Sequence, residues 1–137
     1  MLRRIFGRRE DPSPASPEAV VREHFEAMVA HDIHRILATL APERARLYDS
    51  PRSMDKRRLT LMDATVHAVT PTEEQVPMPA FTQRYGNCLA LKVDYEIRLV
   101  PPEQRRDPTL REGRQWAYYI LVSEKPGKPW LIADWGV

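Results

Sequence analysis

His31, Asp32 and His34 stand close together in the chain, and imidazole and carboxylate groups at such spacing can ligate zinc when further ligands converge. Asp32, however, immediately precedes Ile33, Ile36, Leu37 and Leu40, which recur at helical spacing, and a carboxylate there caps a helix. His31 falls outside that helix, so the group reads as a helix start and no metal site is assigned. Asp134 is the next candidate. Strict alternation along Trp130–Trp135 would set it on the same face as Trp130 and Ile132, and a carboxylate among apolar groups can serve as a general base. The competing reading, which we prefer, is a strand-end anchor for an arginine or a backbone amide. His67 is the second candidate base, but Val66 and Ala68 beside it are as apolar as Val69, so its direction is open. Tyr95 and Tyr118 offer hydroxyl donors. No acid–base pair is brought together by spacing, and no catalytic residue is committed. Asp94 and Glu96 share a wet strand face, where salt bridges to neighbouring strands are the usual role. The single Cys88 excludes an internal disulfide and reads as a small buried hydrophobe.

These side chains need elements to hold them. Ser16-Pro17-Glu18 has the chemistry of a helix start: a capping hydroxyl, a proline for the first turn and an acid at its positive end. Val20, Val21, Phe25, Ala27 and Met28 then form one apolar face, and Arg22 can pair with Glu26 on the wet side. Asp32 starts a second helix that Pro42 weakens, leaving Glu43–Tyr48 for a further turn or short helix. Leu59–Thr70 is β-like, with Met54–Met62 open to a helical alternative. From Leu89 to Leu99 apolar and polar residues alternate strictly, the mark of a strand with one buried face. Arg114–Ser123 is a strand apolar on both faces, and Lys125-Pro126-Gly127-Lys128 turns it into a last strand at Trp130–Trp135.

Composition narrows the class. The chain has 137 residues, 42% hydrophobic and 29% charged, with 21 basic and 19 acidic side chains for a net charge of +2. Residues 1–15 read as a basic, proline-containing leader and residues 16–137 as one domain with room for a real core. The leader lacks the apolar run of a secretory signal, and no run is long enough to span a bilayer, so a cytoplasmic location is expected. Arg3, Arg4, Arg8 and Arg9, interleaved with Leu2, Ile5 and Phe6, allow a membrane-surface contact by residues 1–9, with a solvated terminus preferred. Acids interrupt the basic clusters elsewhere and no stacking motif accompanies them, which argues against nucleic acid.

The order helix, helix, irregular segment and long antiparallel strands is α+β. With Ser16–Met28, Asp32–Leu37 and the closing Pro129-Trp130-Leu131-Ile132, Asp134-Trp135-Gly136, it resembles the nuclear-transport-factor-2-like, cystatin-like cone superfamily, which includes SnoaL-like proteins. The match covers about residues 16–136 and looks like a bacterial branch without an assigned function. The resemblance implies a curved antiparallel sheet wrapped around the N-terminal helices, with a pocket between them and frequent dimers through the sheet. Phe25, Met28, Tyr95, Tyr118, Trp130 and Asp134 are the expected pocket residues. The expected function is non-enzymatic binding of a small apolar ligand or a protein partner, without a cofactor. The alternative is an isomerase, dehydratase or hydrolase with Asp134 or His67 as base.

Overall fold

The computed structural model describes residues 15–48, 61–72, 84–105 and 110–136. All but the last residue of the leader, the membrane contact considered for residues 1–9 and the basic stretch before Leu61 lie outside them.

Helix α1 runs Pro17–Val29 and starts as the sequence dictates, with the Ser16 hydroxyl accepting from Ala19 N at 3.1 Å. It ends in a Schellman motif: His31 N donates to the Met28 carbonyl, Asp32 N to that of Ala27, and His31 takes the left-handed conformation at φ 56°. Asp32 then caps α2 (Ile33–Ala38) by accepting from Arg35 N at 3.2 Å. Both residues are thus spent on the turn between two helices. The His31 imidazole reaches across to the Leu61 carbonyl at 2.8 Å, and His34 is exposed, so the three do not converge. Pro42 opens the four-residue α3 (Pro42–Ala45), followed by a 3₁₀ turn at Arg46–Tyr48.

Four strands form one open antiparallel sheet in chain order: β1 (Leu61–Pro71), β2 (Asn87–Leu99), β3 (Gly113–Ser123) and β4 (Leu131–Gly136). The architecture is α+β, with α1 crossing one face from β1 to β4. The β3–β4 turn closes with Lys128 N donating to Lys125 O at 3.0 Å, and Gly127, at φ +88°, supplies the positive dihedral that follows a proline in a type II turn.

Alternation decides the two faces. Leu91, Val93, Ala117, Tyr119, Leu121 and Ile132 pack beneath Val20, Val21, Phe25 and Ala27 of α1, making the main core. On the opposite, outer face Ile120, Val122 and Ala133 gather with Ala41 into a smaller cluster. The two-sided burial expected for β3 is therefore real, and part of it is internal.

Three extra residues interrupt the pairing. Met62 and His67 are each unmatched in β1, because Leu61 and Asp63 face Leu99 and Arg98 while Val66 and Ala68 face Tyr95 and Asp94. In β4, Ile120 faces Asp134 but Leu121 faces Ile132, leaving Ala133 extra. Such bulges shift the side-chain phase by one and bend the strand.

The two sheet edges differ. β4 is met by backbone at Ile132, whose N–H donates to Thr39 O and whose carbonyl accepts from Ala41 N, both at 2.8 Å. β1 has no such cover among the described residues.

Candidate functional site

A groove of about 310 Å³ runs between α1 and β1. Its lining is apolar along the floor, with Phe25, Val29 and Ala30 from the helix and Ala64 and Val66 from the strand. Arg22 and Glu26, one helical turn apart, stand at the rim. They do not pair with each other as the sequence allowed. Arg22 turns back to Glu18 at 3.0 Å and donates to the Val66 carbonyl at 3.3 Å, which steers its guanidinium toward β1. Glu26 has a side chain 73% exposed and lies 3.8 Å from Arg35, whose fork is already held by both oxygens of Glu23 at 2.9 Å. That fork keeps the Glu23 carboxyl below its ordinary range.

Beneath the groove the interior is filled with rings. Phe25 is 3% exposed, with its ring centroid 5.1 Å from Tyr95 and 5.8 Å from Tyr119. The Tyr95 hydroxyl donates to the Gln115 side chain at 3.2 Å. Met28 and Trp130 are partly buried against the same core. Phe25, Met28, Tyr95 and Trp130 of the expected pocket set therefore do face one interior. They occupy it largely as packing, and of the four Phe25 also lines the groove.

Sequence reasoning passed over His24, which is 2% exposed. Its signal was present: it sits three residues after Val21 and four after Val20, on the apolar stripe. The Thr39 hydroxyl donates to Ile36 O at 2.7 Å, which leaves its oxygen to accept from His24 Nδ1 at 2.8 Å. The imidazole also lies 5.8 Å from the Trp135 ring, which stacks on Tyr119. The arrangement ties α1 to the end of α2 through a buried polar contact.

Asp134 is where the phase shift matters. Because Ala133 is extra, Asp134 falls opposite Ile120 of the outer face, and Trp135 takes the inner position opposite Tyr119. The face expected to hold Trp130, Ile132 and Asp134 together is therefore split by the bulge. Asp134 instead pairs with Arg44 of α3 and accepts from Trp135 N at 2.8 Å. Arg44 also donates to the Ala133 carbonyl at 3.2 Å and lies over the Trp135 ring, 4.8 Å from its centroid. One guanidinium thus fastens the bulged strand by three contacts.

The remaining candidates lie apart from the groove. Tyr118 lies on the outer face, opposite Lys92, with its ring 5.2 Å from that of Trp116, so it does not face Phe25 and Tyr95 as expected. Trp116 is 42% exposed, with the Lys92 ammonium 4.6 Å from its centroid. His67, one of the two unmatched residues of β1, meets Glu96 at 3.0 Å in an exposed contact. Asp94 is forked by Arg114 at 3.0 and 2.8 Å, which lowers its carboxyl. His67 and Asp134 belong to the two opposite edge strands. No group of three or more metal-ligating side chains occurs among the described residues. Nor is any helix among them long and apolar enough to cross a membrane.

A second anchor of α3 has a measurable consequence. Glu43 accepts from the Tyr85 hydroxyl at 2.6 Å and from Arg84 at 2.8 Å. Burial raises the Glu43 carboxyl, but Tyr85, its own backbone and nearby arginines outweigh this and leave it lowered. Burial first, and then Glu43, push the Tyr85 phenol from 10.0 up to about 12. The unfolded chain therefore ionises Tyr85 first, so this stabilisation is complete below pH 10.0 and is lost as pH rises to about 12. Urea unfolding across that window is expected to show a steeper decline for the native protein than for Tyr85→Phe. Equal slopes would mean that the contact does not discriminate between the two states.

Comparison with known proteins extends this picture. The fold is similar to two solved SEC-C motif containing proteins. One, from Rhodopseudomonas palustris, is 18% identical with a TM-score of 0.54, covering 92% of this chain and 81% of its own. The other, from Psychrobacter arcticus, is 16% identical with a TM-score of 0.56, covering 91% of this chain and 62% of its own. No curated protein matches in sequence. The sequence model of one family does match, over residues 18–136, and the chain belongs to it: Domain of unknown function (DUF4829).

Proposed function

We propose that this domain is a non-catalytic binding module, a cone-like fold of the nuclear-transport-factor-2-like kind, that takes up an apolar group of a ligand or partner between α1 and β1. The observation that carries this reading is the groove: about 310 Å³, apolar along its floor and charged only at its rim. That size is at the lower end for small-molecule sites, and an apolar floor with few polar groups is their usual lining. The bulges of β1 and β4 favour a curved sheet, in keeping with a cone. The positions of His67 and Asp134 on opposite edges favour binding over acid–base chemistry. The Psychrobacter arcticus protein extends well beyond the shared fold, as a module within a longer chain would.

The test is uptake of a neutral environment-sensitive dye such as N-phenylnaphthylamine. Saturable fluorescence enhancement is expected for the native protein. Ala64→Phe, which fills the groove, should abolish it while the thermal melt stays cooperative. Undiminished binding by a folded Ala64→Phe variant would remove the groove from consideration.

A further inference from the structure

We infer that the occupant of the groove is an extended peptide segment that adds to the edge of β1, which no main chain among the described residues covers, carrying an apolar residue and, two positions away, an arginine or lysine. This rests on the groove being a binding site and goes on to say what fills it.

The backbone of β1 supplies the first observation. The Val66 carbonyl is turned toward α1 and accepts a long 3.3 Å contact from Arg22. Ala64 N–H is held by the carboxylate of its own neighbour Asp63 at 2.9 Å. These groups face away from β2, and each is occupied by a single flexible side chain (Arg22 41% and Asp63 54% exposed). The opposite edge of the sheet, by contrast, carries main-chain pairing at Ile132. A hydrocarbon or other featureless ligand would leave the edge of β1 unused, whereas a peptide strand would pair with it.

Placement supplies the second. Ala64 and Val66, whose backbone groups at the edge are met by side chains, are also the strand residues that line the groove. A strand added there would present every second side chain to the same face. One such side chain would lie over Phe25, Val29 and Ala30, and the one two positions along would lie at the rim.

Charge supplies the third. Arg22 is already matched by Glu18, so its charge is spent. Glu26 is not fully matched, because Arg35 is held by Glu23 and stays 3.8 Å away. The groove also runs to Val29 and Ala30 at the carboxyl end of α1, whose last turn has no basic residue. Carboxylate and helix end together favour a cation on the peptide.

A fluorescein-labelled threonine heptapeptide with valine at its third place and arginine at its fifth is a direct probe, read by anisotropy on the whole chain. Saturable binding is expected, at least tenfold weaker when alternate backbone amides of the peptide are N-methylated on the pairing edge. Glu26→Lys should weaken binding about fivefold, with Glu26→Gln intermediate, since an exposed pair contributes modestly. Asp63→Ala, which frees Ala64 N–H, should strengthen it. Equal affinity for the N-methylated peptide, or no response to Glu26→Lys in a protein that melts normally, would overturn the inference. Uptake of the neutral dye without peptide binding defeats the peptide alone, whereas failure of both defeats the groove itself.

Discussion

Replacing Phe25 by alanine is expected to lower the free energy of unfolding by about 3–5 kcal/mol, the usual cost of removing a buried aromatic ring from a packed interior. The ring meets Tyr95 and Tyr119, is 3% exposed, and lies where the first helix crosses the sheet. Nothing nearby is placed to take over its volume cheaply: Tyr95 is held by Gln115, and Tyr119 is stacked on Trp135. Equilibrium urea denaturation, with an unchanged dependence on denaturant, measures the effect. The same change should deepen the groove, since Phe25 is both its floor and the plug between it and the interior. Dye binding by the folded fraction should rise. A loss of stability under about 1 kcal/mol would show that the surrounding rings collapse into the space.

The second large effect is expected at Arg44. Its guanidinium serves the Ala133 carbonyl, the Asp134 carboxylate and the face of Trp135. Arg44→Ala removes all three and should cost about 2–3 kcal/mol, in the range of charge-assisted hydrogen bonds lost from a partly buried site. Asp134→Asn should cost about 1 kcal/mol or less, because the amide oxygen can still accept from Trp135 N and solvent screens a carboxylate 44% exposed. Thermal or urea unfolding of both single variants and the double variant gives the coupling. Asp134→Asn should leave dye and peptide binding unchanged, as befits an anchor remote from the groove. A loss of binding with stability intact would reopen a direct role for Asp134.

The helical half of the molecule was legible because its signals are local. Ser16 and Asp32 cap where their chemistry says they should, and Pro42 divides α2 from α3. The long alternation from Leu89 to Leu99 likewise gave the correct faces of β2, and the α+β class followed from the order of elements. Asp134 and His67 were harder, for one shared reason. Each lies at or beside an unmatched residue, and a bulge is specified by the partner strand rather than by any local pattern. Period-two counting therefore fails beyond Ala133 and at His67. Tyr118 was a different case: with both faces of β3 apolar, which of them would meet α1 was not in the strand itself. His24 was missed because a polar residue on an apolar stripe was not asked for its partner. Thr39, fifteen residues on, is that partner.

The fastening of β4 also bears on the order in which the chain folds. Arg44 and Asp134 are 90 residues apart in sequence, and the main-chain pairing of Thr39 and Ala41 with Ile132 closes a loop of similar length. The entropy lost in closing so long a loop is recovered only if its ends are already held near each other. The β2–β3 and β3–β4 pairings join strands adjacent in sequence and close shorter loops, so they are expected to bring Ile132 into place first. Docking of the α2–α3 corner is then expected to come late. Interactions formed after the rate-limiting step govern how fast a protein comes apart rather than how fast it assembles. The arginine clasp on the bulged strand is thus expected to act as a brake on unfolding, so that Arg44→Ala should shorten the lifetime of the native state more than it slows refolding.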